Sequence, residues 1–200
     1  MPDPCAAVCR LHTPLDELTV RTLRVGEQVR IEGIIWGIRD ASLIRMIDEG
    51  QRPPVSLTGA AILHTAPSVR RREDGSFEPL SVGTTTSMRM DRFTHACLER
   101  GIRVIIGKGG LSEESGRALR EMGGVYLAIT GGAASYQTTQ IEAIEEVHWL
   151  DLMPECLWKF RVKDFGPLFV AMDSCGRSAY ADVAAQAAER VQAAYRKLGL

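Results

Sequence analysis

Long apolar runs are missing from this 200-residue chain: none approaches the roughly 18 residues that a membrane-spanning helix needs. The N-terminus lacks a charged stretch followed by an apolar one, so no secretory leader is expected, and a soluble cytoplasmic protein is the default. Charge of one sign is also scarce. Lys and Arg number 24 against 25 Asp and Glu, a net charge of −1, which offers no field for nucleic acid or an anionic membrane. The single basic run, Arg70-Arg71-Arg72, passes directly into Glu73-Asp74-Gly75 and reads as a solvated turn.

Metal and nucleophile chemistry are thin as well. The five cysteines are odd in number and scattered, with no disulfide framework. Cys5 and Cys9 are close together, but nothing supplies further ligands at regular spacing. Cys97 sits on an apolar helical face and reads as core. His12, His95 and His148 read as structural or solvated. His64, which follows an apolar strand, reads as either core or site, and none of the four has a nucleophile partner nearby.

What is present is enough apolar material, 45% of residues, to bury one sizeable core. Val29 to Trp36 alternates as a strand, and further strands fall at Ala60–Leu63, Arg103–Ile106 and Val125–Ile129. Ser112 caps a helix that has Glu113 and Glu114 in its first turn and ends at Gly123-Gly124. The stretch from Tyr136 to Trp149 reads as helical first and extended from about Glu145. Trp158, Phe160 and Val162 alternate as a strand, Phe165 to Met172 forms another, and Asp173-Ser174-Cys175-Gly176 turns. Val183, Ala187, Val191, Tyr195 and Leu198 mark one stripe of a last helix. The mixture is α/β, built from strand–turn–helix units.

Two of those turns carry chemistry. Ser81-Val82-Gly83-Thr84-Thr85-Thr86-Ser87-Met88-Arg89-Met90 sets a row of hydroxyls ahead of a helical pattern of Met90, Phe93, Cys97 and Leu98 that ends at Gly101. Hydroxyls at a helix start cap free N–H groups, that end of the helix favours an anion, and Arg89 adds a donor fork suited to a carboxylate. Gly107-Lys108-Gly109-Gly110 lets backbone approach a ligand and puts a point charge there. The plain alternative is a tight turn with an exposed lysine. Arg39, before Asp40-Ala41-Ser42, is a third candidate anion binder, or else part of a surface ion pair with Asp40 or another acid. A nucleotide P-loop is excluded, because Ile102 stands six residues before Lys108 and Gly109 replaces the magnesium-binding hydroxyl.

Together, Gly37–Ala41, Ser81–Met90, Ile106–Gly110, Ile144–Trp149 and Phe165–Phe169 resemble the β subunit of iron–sulfur-dependent class I hydro-lyases. That family comprises the L(+)-tartrate dehydratases and the class I fumarases, where the equivalent unit is the C-terminal domain. The resemblance covers the chain from about Leu15 to Asp173. It implies one such domain over 1–200, with 1–14 an irregular N-terminal segment and 178–200 a C-terminal helix, folded as a swivelling β/β/α domain. It further implies a lyase that takes a small hydroxy-dicarboxylate, with L-tartrate to oxaloacetate first. Fumarate hydration to malate is the alternative, and a non-catalytic dicarboxylate-binding paralogue a third reading.

On the same resemblance, a [4Fe-4S] cluster belongs to a partner α subunit and none is held by this chain, in a cytoplasmic heteromer of α2β2 type without nucleic acid or membrane. Thr85 matches the threonine proposed as base, with Thr86 beside it. Lys108 matches the lysine of the glycine turn, flanked by Gly107 and Gly109, and Arg39 and Arg89 match arginines that hold substrate carboxylates. The chain departs from the family's habit at Thr84, commonly proline, and at Leu43, commonly histidine.

Overall fold

The computed structural model describes residues 8–199. In chain order it has β1 (Cys9–His12), α1 (Glu17–Thr22), β2 (Gln28–Ile38), α2 (Asp40–Leu43) running into a π-helical turn at Ile44–Asp48, β3 (Ala61–His64), β4 (Ser68–Arg71) and β5 (Phe77–Ser81). A 3-10 segment at Ser87–Phe93 leads into α3 (Thr94–Glu99), followed by β6 (Val104–Gly107), α4 (Glu113–Met122) and β7 (Val125–Ala128). Short helical turns end in α5 (Ala134–Thr138). Then come β8 (Ile141–His148), β9 (Leu157–Met172) and α6 (Ala179–Lys197).

Strands β1, β2, β3, β6 and β7 run parallel, and β9 is antiparallel to β2, β7 and β8. Because β9 pairs with β2 on one side and β7 on the other, the order β2-β3-β6-β7-β9 closes into a ring. Strand periodicity explains what fills it. Val29, Ile31 and Ile35 of β2, Ala61 and Leu63 of β3, Val104 and Ile106 of β6, and Val125 and Leu127 of β7 point inward, meeting Trp158, Phe160 and Val162 of β9. Their alternates, Ile62, Ile105 and Tyr126 among them, face a second apolar layer. There Met90, Phe93, Cys97 and Leu98 pack with Ala118 and Leu119 of α4. The four residues read as a helical stripe after the threonines are thus all buried, at 3% exposure or less.

Several expected boundaries move. Cys9–His12 is a strand on β2 rather than part of an irregular segment, because Leu11 buries its side chain in the ring's core. Met1 to Ala7, including Cys5, lie outside the described residues. β8 is extended from Ile141, four residues earlier than Glu145. The two strands expected between Trp158 and Met172 are one 16-residue strand. Its register slips around Asp164, at φ 54°, and Gly166, at φ 152°. Asp164 tolerates the left-handed region, and its carboxylate ties down Arg30 (2.8 Å) and Arg10. The arginine run forms a hairpin, with Arg70 and Arg71 in β4 opposite Glu78 and Phe77 of β5.

The α4 expectation holds in detail. Ser112 Oγ accepts a hydrogen bond from Ser115 N at 3.2 Å, and Gly123 caps the other end at φ 69°. Helix α6 fills the C-terminal segment, with Ser178 Oγ accepting from Ala181 N. Its stripe of Val183, Val191, Tyr195 and Leu198 stays exposed to solvent.

Aromatic stacking on β9 anchors the ring. Phe160 is fully buried, and its ring lies 6.3 Å from that of Trp158 at an interplanar angle of 2°. Gly37 has no side chain because a Cβ there would come within 2.6 Å of the Phe160 ring. Phe160→Ala is expected to lower unfolding free energy by about 3–5 kcal/mol, through lost burial plus a cavity. Urea denaturation of the two proteins measures this, and a loss under about 1 kcal/mol would contradict the anchoring role.

Candidate functional site

The parallel strands share one register at their carboxyl ends. Ile38 pairs with His64, Leu63 with Ile106, and Gly107 with Ala128. The residues one step further on are Arg39, Thr65, Lys108 and Ile129. Neighbouring strands are about 4.8 Å apart, so Arg39 and Lys108 leave the sheet from strands roughly 10 Å apart on the same edge. In α/β sheets this edge is where ligands bind.

The threonine stretch is laid across that edge as extended chain. Thr84 bridges antiparallel to Thr65, and Thr86 bridges parallel to Lys108. Thr85 N donates to His64 O at 2.8 Å, and Ser87 N donates to Lys108 O at 3.0 Å. Thr84 Oγ1 lies 3.1 Å from His64 O and 3.2 Å from Thr85 O. The hydroxyls therefore do not cap a helix, contrary to the expectation from sequence. The chain continues instead into the 3-10 segment, with Thr86 at its start and no side-chain cap. This sheet-like pairing takes the N–H groups of Thr85 and Ser87 away from any anion. The Thr85 hydroxyl, half-buried, makes no hydrogen bond to a described residue.

The two arginines meet on one carboxylate. Asp40 Oδ2 lies 3.1 Å from Arg39 Nε and 3.3 Å from Arg89 Nη2. Glu155 adds a second contact to Arg39 Nε, at 3.3 Å, while its other oxygen accepts from Ala41 N at 2.8 Å. Shared carboxylates hold two like charges side by side and leave most of each guanidinium's five donors unused. Lys108 is different. Among the described residues no carboxylate lies within 4.0 Å of its amine. Its stem rests on Gly131, where a Cβ would be 3.4 Å from Nζ.

Gly107 and Gly109 have local reasons. A Cβ on Gly107 would collide with Ser87 Oγ, and Gly109 sits at φ 75°. Leu43, fully buried, faces the apolar layer with Ile38 and Met46 rather than the strand ends. The ion pair of Arg39 with Asp40, an alternative the sequence offered, is present, while Glu155, the sharing of Asp40 with Arg89, and Ser87 and Tyr126 behind the threonines were missed. The Arg-Asp adjacency was the one available signal. A groove of about 680 Å³ between α4 and the start of α6 includes none of the candidate site residues named from sequence.

Among the described residues no group of three His, Cys, Asp or Glu side chains is arranged to hold a metal ion. Cys97 and Cys156 are buried thiols, pushed up to about 12 and about 11 by desolvation, which disfavours the thiolate a metal needs. The described donor set does not fit an iron–sulfur cluster.

Against this geometry stand the comparisons with known proteins. The family described as Fumarase C-terminus matches residues 6–183. The chain belongs to that family. It is 40% identical over 186 residues to a putative fumarate hydratase class I of Geobacillus stearothermophilus, covering 92% of this chain but 36% of that protein. It is 38% identical over 182 residues to the L(+)-tartrate dehydratase subunit beta of Escherichia coli K12, covering 90% of each. A putative L(+)-tartrate dehydratase subunit beta of Methanocaldococcus jannaschii is 35% identical over 175 residues, covering 84% of this chain and 89% of that one. This Fumarase C-terminus chain thus spans about a third of the first relative and nearly the whole of the other two.

His64, 2% exposed, has its pKa lowered to about 4 by burial, against which the Asp40 charge pulls weakly upward. The unfolded chain takes up this proton below about 6.5, the folded chain only below about 4. Stability from neutral His64 is therefore complete above pH 6.5 and falls as pH drops toward 4. Between pH 7 and pH 5 the wild type should lose about 2 kcal/mol that His64→Gln does not lose. Urea titrations of both proteins at the two pH values check this; parallel losses would contradict it.

Proposed function

We propose that this chain is the β subunit of an iron–sulfur-dependent hydro-lyase that dehydrates a small hydroxy-dicarboxylate, with L(+)-tartrate to oxaloacetate as the first choice. The observation that carries the reading is the set of groups gathered on one strand edge: paired arginines and, among the described residues, a lysine without a carboxylate partner and a threonine hydroxyl without a hydrogen bond. Near-complete coverage of a named tartrate dehydratase β subunit supports the substrate order. The 40% identity to a putative class I fumarate hydratase favours fumarate and malate as the second reading.

In this reading Arg39 and Arg89 exchange part of their Asp40 contact for a substrate carboxylate, which their planar donor forks fit in bidentate fashion. Lys108 offers its point charge to the other end of the diacid or to the oxygen where charge builds. Removing a proton beside a carboxylate spreads negative charge onto that carboxylate, so cations fixed there favour the transition state over the substrate. Thr85 first gives its hydroxyl proton to solvent, the neighbouring cations lowering the cost of the alkoxide, and the alkoxide then receives the substrate proton. Thr86, bridged to Lys108, lines the same side.

A [4Fe-4S] cluster held by an α subunit would supply Lewis acidity toward the departing hydroxyl. The site is then completed by docking in a heteromer of α2β2 type. The layering of a strand ring under a helical layer supports the swivelling β/β/α description. No helix among the described residues is long and apolar enough to cross a membrane.

The test is co-expression with the α-type partner under anaerobic conditions and assay on L-tartrate, malate and fumarate. Tartrate turnover should dominate; fast fumarate hydration with negligible tartrate turnover would reverse the substrate order. In the assembled enzyme Thr85→Ala should lower kcat by about 10²–10⁴, the range for loss of a positioned proton acceptor. Lys108→Ala should lower kcat/KM by about 10²–10³. Wild-type turnover in Thr85→Ala would remove that residue from the chemistry.

A further inference from the structure

Behind the strand edge runs a buried line of polar groups that the proposed dehydration does not use. His64 Nδ1 lies 3.0 Å from Ser87 Oγ, Ser87 Oγ lies 3.0 Å from the Tyr126 hydroxyl, and that hydroxyl lies 2.8 Å from Gly109 O. Their protons can be assigned by elimination. Gly109 O only accepts and is the nearest acceptor, at 2.8 Å, so Tyr126 gives its single proton there rather than to the neighbouring Tyr180 hydroxyl. Two oxygens 3.0 Å apart with no hydrogen between them would repel, so Ser87 gives its own proton to the Tyr126 oxygen. Ser87 Oγ therefore meets the imidazole with a lone pair, and His64 Nδ1 carries the hydrogen. A neutral imidazole has one N–H, so Nε2 is bare, and no described residue hydrogen-bonds to it.

We propose that His64 is a positioning residue of this site: a one-way hydrogen-bond chain, His64 to Ser87 to Tyr126 to Gly109, locks its ring as the Nδ1–H tautomer and ties the threonine stretch to the lysine turn. Both ends of the chain hold residues of the candidate site. His64 O accepts the Thr85 N–H at 2.8 Å, and Ser87 N donates to Lys108 O at 3.0 Å. Gly109, at the far end, follows Lys108 directly. The missing side chain of Gly107 is what leaves room for Ser87 Oγ at the middle of the line. Burial keeps the Tyr126 hydroxyl protonated, its pKa pushed up by desolvation, so the line does not lose its proton at working pH. Tyr180, whose ring centroid is 6.4 Å from that of Tyr126, packs over Gly110 and covers this end. The relevance of this line to turnover rests on the hydro-lyase reading; the tautomer does not.

The experiment has two arms, both on the full chain. In the first, the protein is labelled with ¹⁵N-histidine and the ring nitrogens are read by NMR at pH 7. His64 is assigned by loss of its signals in His64→Gln. The wild type should show a protonated Nδ1 and a bare Nε2. In Tyr126→Phe, Ser87 loses its acceptor and turns its proton to Nδ1, so the His64 tautomer should reverse. A wild-type Nε2–H, or no change in Tyr126→Phe, overturns the chain. In the second arm, Tyr126→Phe assembled with the α-type partner should lower kcat about tenfold with KM changed less than about threefold, the scale of one lost hydrogen bond acting on geometry alone. Unchanged kcat beside a reversed tautomer overturns the positioning role. Wild-type complex without turnover of any hydroxy-dicarboxylate would remove the hydro-lyase reading, while the spectra still decide the chain.

Discussion

Strand β9 hydrogen-bonds β2 along one side and β7 along the other, and nearly everything else in the molecule depends on that closure. A ring of five strands fixes relative register, because slipping one strand would have to slip its neighbours on both sides. Register in turn sets Arg39, Thr65, Lys108 and Ile129 in one row past the strand ends. Core packing and functional geometry are therefore one problem here. The same Phe160 ring that fills the core leaves Gly37 no room for a side chain, two residues before Arg39.

Charge is handled unequally along that row. Asp40 and Glu155 already engage the two arginines, which holds their guanidinium groups at a set separation and restrains long, flexible stems. Binding an anion there is an exchange of partners, with little new ordering. Lys108 has no such companion among the described residues, and a half-buried ammonium without a counter-ion gains most from an incoming carboxylate. On the proposed hydro-lyase reading, the arginine side provides orientation and the lysine side provides attraction. Lys108 itself is held in a sheet-like bridge to Thr86 rather than on a free loop.

Much of this was legible in the amino-acid order. Strands β2, β3, β6 and β7 announce themselves as apolar runs, and each stops at glycine or at a charged or polar residue, which is why the ends could be named. Helix α4 was legible through Ser112 and Gly123, since caps are local chemistry. Partnerships across distance were not. Glu155 reaches Ala41 and Arg39 from more than a hundred residues away, and Ser87 meets His64 and Tyr126 from different strands. Tyr126 reads as one more apolar strand residue, because its ring is core and only its hydroxyl is polar. The threonines misled for a related reason: a hydroxyl row suits a helix start and an edge-strand bridge equally, and only the neighbouring strands Thr65 and Lys108 extend decide which.

Closure also governs how the molecule behaves toward its own copies. A sheet offers its neighbours unsatisfied backbone wherever a strand has only one partner, and such margins seed sticking between chains. Five strands here have none to spare over most of their length. The terminal strand β8 is the long margin that remains, and it carries Glu142, Glu145 and Glu146, the last two engaged by Lys159 and Arg161 of β9. A border already occupied by paired charges is a poor template for another extended strand, so the margin that closure leaves behind carries its own guard.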